Sequence, residues 1–244
     1  MKNSIRVVSF CLYGVRNHYR IGALKNVDLC KEFYPGWEIW FYVSPTIPRD
    51  LLVELKDKGA TILVVEDIDD AYFMNYRFFP PSDERVEYAI FRDTDSRVDA
   101  REAAAVNEWI KEGTGLHIMR DHPWHGPSPT HHMMLGGMWG VKGDKLRDVK
   151  EILLPHKMPS NHGYDQRLIT ALIYPRFTED KTVHDEFFDK KPWPLPRKKI
   201  KVNGYGGREM CTFTGCQYSE DDQPTHPEHL GMLEEALIAN NLPR

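Results

Sequence analysis

Two carboxylates, Asp93 and Asp95, stand two residues apart in Phe91-Arg92-Asp93-Thr94-Asp95-Ser96-Arg97, directly after the apolar run Val86-Glu87-Tyr88-Ala89-Ile90. In an extended backbone alternate side chains point the same way, so the pair can share one cation while Thr94 faces away. Hard oxygen donors of this kind suit Mg²⁺ or Mn²⁺, which keep coordination positions for water or for the oxygens of a diphosphate. Acidic residues at a strand end also serve as solvated turns or helix caps. Here the capping role falls to Asp99, which with Glu102 has capping-box spacing at the head of the alanine-rich helix predicted over 99–110. The pattern is that of an enzyme handling a metal-chelated phosphate ester.

The elements that must hold this pair follow from hydrophobic periodicity. Residues 5–12 read as a buried strand and 21–33 as a helix ended by Pro35-Gly36. The aromatic-rich run 37–43 is a second strand, 49–58 a helix behind Pro48, and 61–65 a third strand. This alternation predicts an α/β domain whose sheet is mixed and mostly parallel, with helices on its faces. Ligands of such sheets settle at the carboxyl ends of the strands, where Asp93 and Asp95 fall. Tyr13 and Gly14 fall at the same level after the first strand, placing Tyr13 to stack a base and Gly14 to admit a close backbone. Arg16 beside them also fits an ordinary strand-to-helix turn.

Further along, 115–119 reads as a strand and 134–141 as another, with Gly136-Gly137 inside it. A glycine pair weakens a strand unless a ligand or another backbone needs the space. Helices are predicted to begin near Asp144 and over 164–173. The stretch 190–199 is proline-rich and basic, an arm rather than a helix, and Thr225 to Glu228 has capping-box spacing ahead of a helix reaching about 240. The expected organisation is a catalytic domain over 1–184 with an arm and terminal helix, 185–244, packed on it.

Taken in order, these motifs resemble the GT-A class of nucleotide-sugar glycosyltransferases. The likeness is to small glycosyltransferase-like proteins of bacteria and large DNA viruses, and spans residues 1 to about 195. It is carried by Arg92-Asp93-Thr94-Asp95-Ser96-Arg97, His117-Ile118-Met119-Arg120-Asp121-His122-Pro123, Gly136-Gly137-Met138-Trp139-Gly140 and Tyr164-Asp165-Gln166. The resemblance implies a GT-A-like, Rossmann-like fold and metal-dependent transfer of a sugar from a nucleotide donor, most often a UDP-sugar, to a glycan or other hydroxyl acceptor. Asp93 and Asp95 would hold Mn²⁺ or Mg²⁺ on the donor diphosphate. His184 resembles a third metal ligand, although Phe187 replaces a glycine of that motif and Lys191 comes one residue late. Arg77 and Lys191 would stabilise charge on the departing diphosphate. Asp165 and Gln166 match residues beside the reacting sugar, with Asp165 or Asp121 as the proton acceptor if the reaction inverts. Trp124 in the loop 120–127, together with Gly136, Gly137 and Trp139, is expected to contact substrate.

Rival readings stay open at this level. His117, His122, His125, His131 and His132 crowd into sixteen residues and suggest a metal-dependent hydrolase. A haloacid-dehalogenase phosphatase also uses Asp-x-Asp after a strand, but normally the first strand, and a non-catalytic nucleotide-sugar or glycan binder shares every binding feature. Cys211 and Cys216 with His226 and His229 offer four zinc-type donors, at spacings short for a zinc finger and with Pro227 between the histidines. The net charge of −4 argues against a dedicated nucleic-acid binder. No apolar run reaches the length of a signal peptide or a membrane span, and four scattered cysteines fit free thiols, so a cytoplasmic protein is expected.

Overall fold

A computed structural model describes residues 4–14, 16–66, 71–127, 133–158, 161 and 163–244. The first half alternates β1 (Ile5–Leu12), α1 (Asn17–Phe33), β2 (Glu38–Val43), α2 (Arg49–Asp57), β3 (Thr61–Val64) and β4 (Val86–Phe91). All four strands are parallel, with β2 and β4 on either side of β1 and β3 outside β2. Both faces of β1 are covered, which is why Val7, Val8, Phe10 and Leu12 form a nearly unbroken apolar run. One apolar layer, with Phe73, Phe78, Phe91 and Trp139, lies on one face of the sheet. A second, with Phe10, Val27, Phe41 and Trp109, lies under the helices.

Helix α3 (Ala100–Glu112) starts as its capping signal predicts, with the Asp99 carboxylate accepting from the Glu102 amide at 2.8 Å. It ends at Gly113, whose φ of +77° is a left-handed cap that glycine adopts without strain. Strands β5 (Leu116–Arg120), β6 (Trp139–Lys142) and β7 (Lys181–Asp185) complete a seven-stranded sheet of order β3-β2-β1-β4-β6-β5-β7. Only β6 runs against its neighbours.

Several boundaries differ from the sequence expectation. The strand expected over 134–141 begins only at Trp139, because Gly136 and Gly137 turn the chain where side chains of the site fill the space. The helix expected near Asp144 is a 3₁₀ turn (Gly143–Lys145) followed by the short α4 (Val149–Leu153). The helix over 164–173 divides into α5 (Tyr164–Leu168) and a wider π turn (Ile169–Ile173).

Beyond β7 the proline-rich stretch leads into an unexpected hairpin, β8 (Lys199–Val202) and β9 (Arg208–Cys211), and then α6 (Pro227–Ala239). These elements enclose a small core of their own, including Phe187, Met210, Phe213, Leu230, Leu233 and Leu237. Helix α6 has His226 at its N-cap with no side-chain capping bond, so the Thr225–Glu228 box does not form. All four cysteines are buried free thiols. No helix among the described residues is long and apolar enough to cross a membrane.

Candidate active site

Because β1 and β4 are parallel neighbours, the loops that leave them emerge at the same edge of the sheet. There they line one cleft with Tyr13, Arg77, Asp93, Asp95, Asp165 and Gln166. Six residues drawn from four separate stretches of sequence are thus brought together. Sequence reasoning missed Tyr19, Met74 and Gln217, which share the cleft wall.

The loop after β4 is held from three sides. At its start the Arg92 guanidinium is fully buried, donating to Glu102 at 2.8 Å and to the carbonyls of Phe91 and Trp139. From α1 the buried Asn26 amide donates to the carbonyls of Thr94 and Ser96, while its oxygen accepts from the Val98 amide. Gly22, one turn earlier, lets α1 approach so closely that any Cβ there would strike the Thr94 carbonyl. From the far end of the chain the Tyr218 amide donates to the Asp95 carbonyl at 2.8 Å, and Asp222 pairs with both Arg97 and Lys25.

Arg77 is the hub of the cleft. It lies 3% exposed in the 3₁₀ segment Ala71–Phe78, with Nη1 on the Asp93 carboxylate and Nη2 on Asp165 Oδ2 at 2.8 Å. Burial works to lower its pKa, but Asp93 and Asp165 outweigh it and the group is held firmly cationic. Asp165 is 1% exposed, whereas Asp93 is 42% exposed and faces the opening. Asp95 has no ion-pair partner among the described residues; burial, and after it the neighbouring Asp93, push its carboxyl up to about 7. Tyr13 is half-buried with its ring 5.5 Å from that of Phe73, and burial pushes its hydroxyl up to about 12. Gly14 follows at φ +74°, with nothing near the position a Cβ would take.

The glycine pair stands behind this cluster. A Cβ on Gly136 would collide with Asp165 and Arg77, and one on Gly137 with the Asp93 carboxylate. These positions therefore make room for the charged triad rather than presenting a surface to a ligand. Gly137→Ala is expected to displace the Asp93 carboxylate from Arg77 and to lower the melting temperature by a few degrees. A thermal melt checks this, and an unchanged melting temperature would refute it.

Five expected site residues lie elsewhere. His184 is on β7, three strand positions from β4, so about 14 Å of sheet separates it from the Asp93 loop. It is wholly buried, with Nδ1 2.9 Å from His117 Nε2 and Nε2 3.6 Å from Glu108; burial and then Lys191 lower it to about 4. Lys191 is tied to Glu108 and Glu112 on α3 rather than to the cleft. Asp121 is wholly buried and saturated by Arg101, Arg197 and the Thr214 amide, which clamps the arm onto the sheet and leaves no room for base catalysis. Trp139 is wholly buried between Phe78 and Phe91, with ring centroids at 5.2 and 4.2 Å. Trp124 is 47% exposed but packs on His229 of α6, away from the cleft lining.

The histidine cluster does not assemble as one site. His117 pairs with His184, whereas His122 and His125 pack against Phe213 of the C-terminal part. His131 and His132 lie outside the described residues. Cys211 and Cys216 are buried and do not join the imidazoles of His226 and His229.

Hard carboxylate donors, one of them buried and in no ion pair among the described residues, fit a divalent cation of the Mg²⁺ or Mn²⁺ type. No protein-family model matches the chain, and no curated protein matches it in sequence. Among solved structures, S. aureus TarS 1–349 in complex with UDP superposes at a TM-score of 0.53 with 13% identity, over 78% of this chain and 59% of that one. Without UDP the same TarS fragment gives 0.51 and 12%, over the same shares of the two chains. A glycosyltransferase involved in glycosylation of the major capsid of PBCV-1 gives 0.47 and 15%, over 75% and 82%. The chain thus spans less than two thirds of the TarS fragment. At such identities the likeness is one of fold, and that fold is the GT-A-like, mixed and mostly parallel α/β sheet implied by the sequence motifs.

Proposed function

We propose that the protein transfers a sugar from a nucleotide-sugar donor, a UDP-sugar in the first instance, to a hydroxyl acceptor. The observation that supports this reading most is the meeting of Tyr13, Arg77, Asp93, Asp95, Asp165 and Gln166 in one cleft at the carboxyl edge of the sheet. That edge is where open α/β sheets take nucleotides. The UDP in the TarS complex agrees with the choice of base.

In this reading Tyr13 stacks the base, and Gly14 leaves the backbone open beside it. Asp93 and Asp95 would hold Mn²⁺ or Mg²⁺, which when bound supplies positive charge to the leaving diphosphate. Arg77, buried and doubly paired, fixes the direction of Asp93 and adds its own charge to the cleft floor. Asp165 is spent on Arg77, so its role is to position rather than to accept a proton. Gln166, half-exposed on the next position of α5, presents its amide toward the reacting sugar.

A thermal-shift screen of UDP, GDP, ADP and CDP, each with and without Mn²⁺, tests the donor class. A ligand at about 100 times its dissociation constant adds about 2.7 kcal/mol of stability. For a chain of this size that raises the melting temperature by roughly 5–10 °C. UDP is expected to give that shift only with Mn²⁺, and UDP-sugar to release UDP when an acceptor is supplied. A shift with GDP alone would overturn the base assignment. No shift with any nucleotide would overturn the function.

A further inference from the structure

Outside the cleft, the described residues contain one group of metal-binding donors brought together in space: His226, Glu228 and His229, with ligand atoms all within 4.8 Å of one another. We infer that these three side chains form a second, separate metal site, selective for a transition ion of the Zn²⁺ class, at the junction of α6 and the Pro123–His125 turn.

One edge of the triad already has the spacing that ion needs. Two ligands of a tetrahedral Zn²⁺ at about 2.0–2.1 Å stand roughly 3.3 Å apart. His226 Nδ1 and Glu228 Oε1 are already at 3.1 Å. The third donor, on His229, belongs to a residue whose surroundings are built. Its backbone carbonyl lies 3.0 Å from His122 Nε2, while His122 Nδ1 accepts from the Trp124 amide at 3.1 Å. With Nδ1 accepting, Nε2 must carry the proton and donate, so both nitrogens of His122 are engaged and its ring pins the first turn of α6. The Trp124 ring packs edge-on against His229 at 4.9 Å, leaving the imidazole little freedom. His226 and Glu228 are about half exposed, so an ion has a path in and a fourth position for water.

Chemistry separates this site from the Asp93–Asp95 pair. Imidazole favours Zn²⁺, Cu²⁺ and Ni²⁺, whereas carboxylates alone favour Mg²⁺ and Mn²⁺. The positive end of α6 opposes a cation, and the Glu228 charge offsets it at close range. Cys211 and Cys216 take no part, so the site is not a zinc finger.

Calorimetric titration with Zn²⁺ alone tests this on the full chain. The wild type and an Asp93→Ala/Asp95→Ala variant are expected to bind one Zn²⁺ with equal affinity. His226→Ala and His229→Ala should each weaken binding by more than the roughly 10–100-fold that loss of a mere supporting partner costs. Glu228→Gln should weaken it less, and Co²⁺ should give a visible band of low-coordinate type that both histidine variants lack. Because His226 and Glu228 are more than half exposed, thermal melts of their apo variants should match the wild type, while apo His229→Ala, which loses its packing on Trp124, should melt only slightly lower. Zinc binding that survives the histidine substitutions, or vanishes with Asp93→Ala/Asp95→Ala, would overturn the proposal and leave the reading of the cleft untouched.

Discussion

Arg77→Met is expected to cost about 3–5 kcal/mol of stability and to abolish transfer. The cost follows from what it removes: Asp165 is 1% exposed and bound to Arg77 Nη2 at 2.8 Å, so methionine takes away the cation paired with a carboxylate that water cannot reach. In melting temperature the loss amounts to roughly 6–20 °C. A second substitution separates the lost charge pairing from lost packing. Removing both members of a buried pair is often neutral, so Arg77→Met with Asp165→Leu should recover most of the melting temperature and none of the activity. Calorimetric melts of the two variants decide the matter. A single variant as stable as the wild type, or a double variant no better than the single, would refute the account of Arg77 as the charge that makes this cleft foldable.

The second large effect runs in opposite directions for stability and activity. Asp95 carries a carboxyl pushed from its ordinary 3.8 to about 7 by burial and by Asp93. A carboxyl held above its ordinary value binds its proton more tightly in the folded state, so the fold loses stability as pH rises from about 4 through 7. Asp95→Asn removes that loss. Without metal, the variant is expected to melt higher than the wild type at pH 8, with the advantage shrinking toward pH 4. Its nucleotide response should vanish, and turnover should fall on the order of 10³-fold or more, the several kcal/mol a metal lends to charge on a leaving group. Asp93→Ala should show the same loss of turnover without the gain, since Asp93 is 42% exposed and already paired with Arg77. A melting temperature at pH 8 no higher than wild type would mean that burial and Asp93 do not disfavour the Asp95 charge. Persistent Mn²⁺-dependent UDP binding in either variant would remove the pair from its assigned role.

What could be read from the chain beforehand was whatever depends on neighbours in sequence. The strand-helix alternation of the first 100 residues and the Asp99 cap are local, and each needs only a few adjacent residues; the extended backbone expected through Asp93 and Asp95 is instead a turn at Thr94–Asp95, because β4 ends at Phe91. Tyr13 came from its place after the first strand, and Arg77, Asp165 and Gln166 from the order of motifs; the structure places all four in the cleft. His184, Lys191 and Asp121 lie outside the cleft lining for one reason. Their surroundings depend on β7 pairing with β5 at the far side of the sheet and on the arm folding over α3, both long-range contacts that no local pattern encodes. Trp139 was drawn toward the site by the glycines before it, yet alternation along β6 turns its ring into the core. Asn26 did leave a trace: an amide among Ala23, Val27 and Cys30 on the inward face of α1 is a buried polar group that needs partners. Gln217 left none, because its place in the cleft is set by the fold of a tail more than 100 residues away from the acidic loop.

That tail imposes an order in time. Residues 217–222 hold the loop bearing Asp95 through Tyr218, and through Asp222 to Arg97 and Lys25. At roughly 5–20 residues per second a ribosome needs about 6–25 s to travel from Asp95 to Asp222. A nascent chain therefore exposes Asp93, Asp95 and an unfinished wall for many seconds before the closing segment emerges, and the cleft is among the last parts of the molecule to acquire its shape.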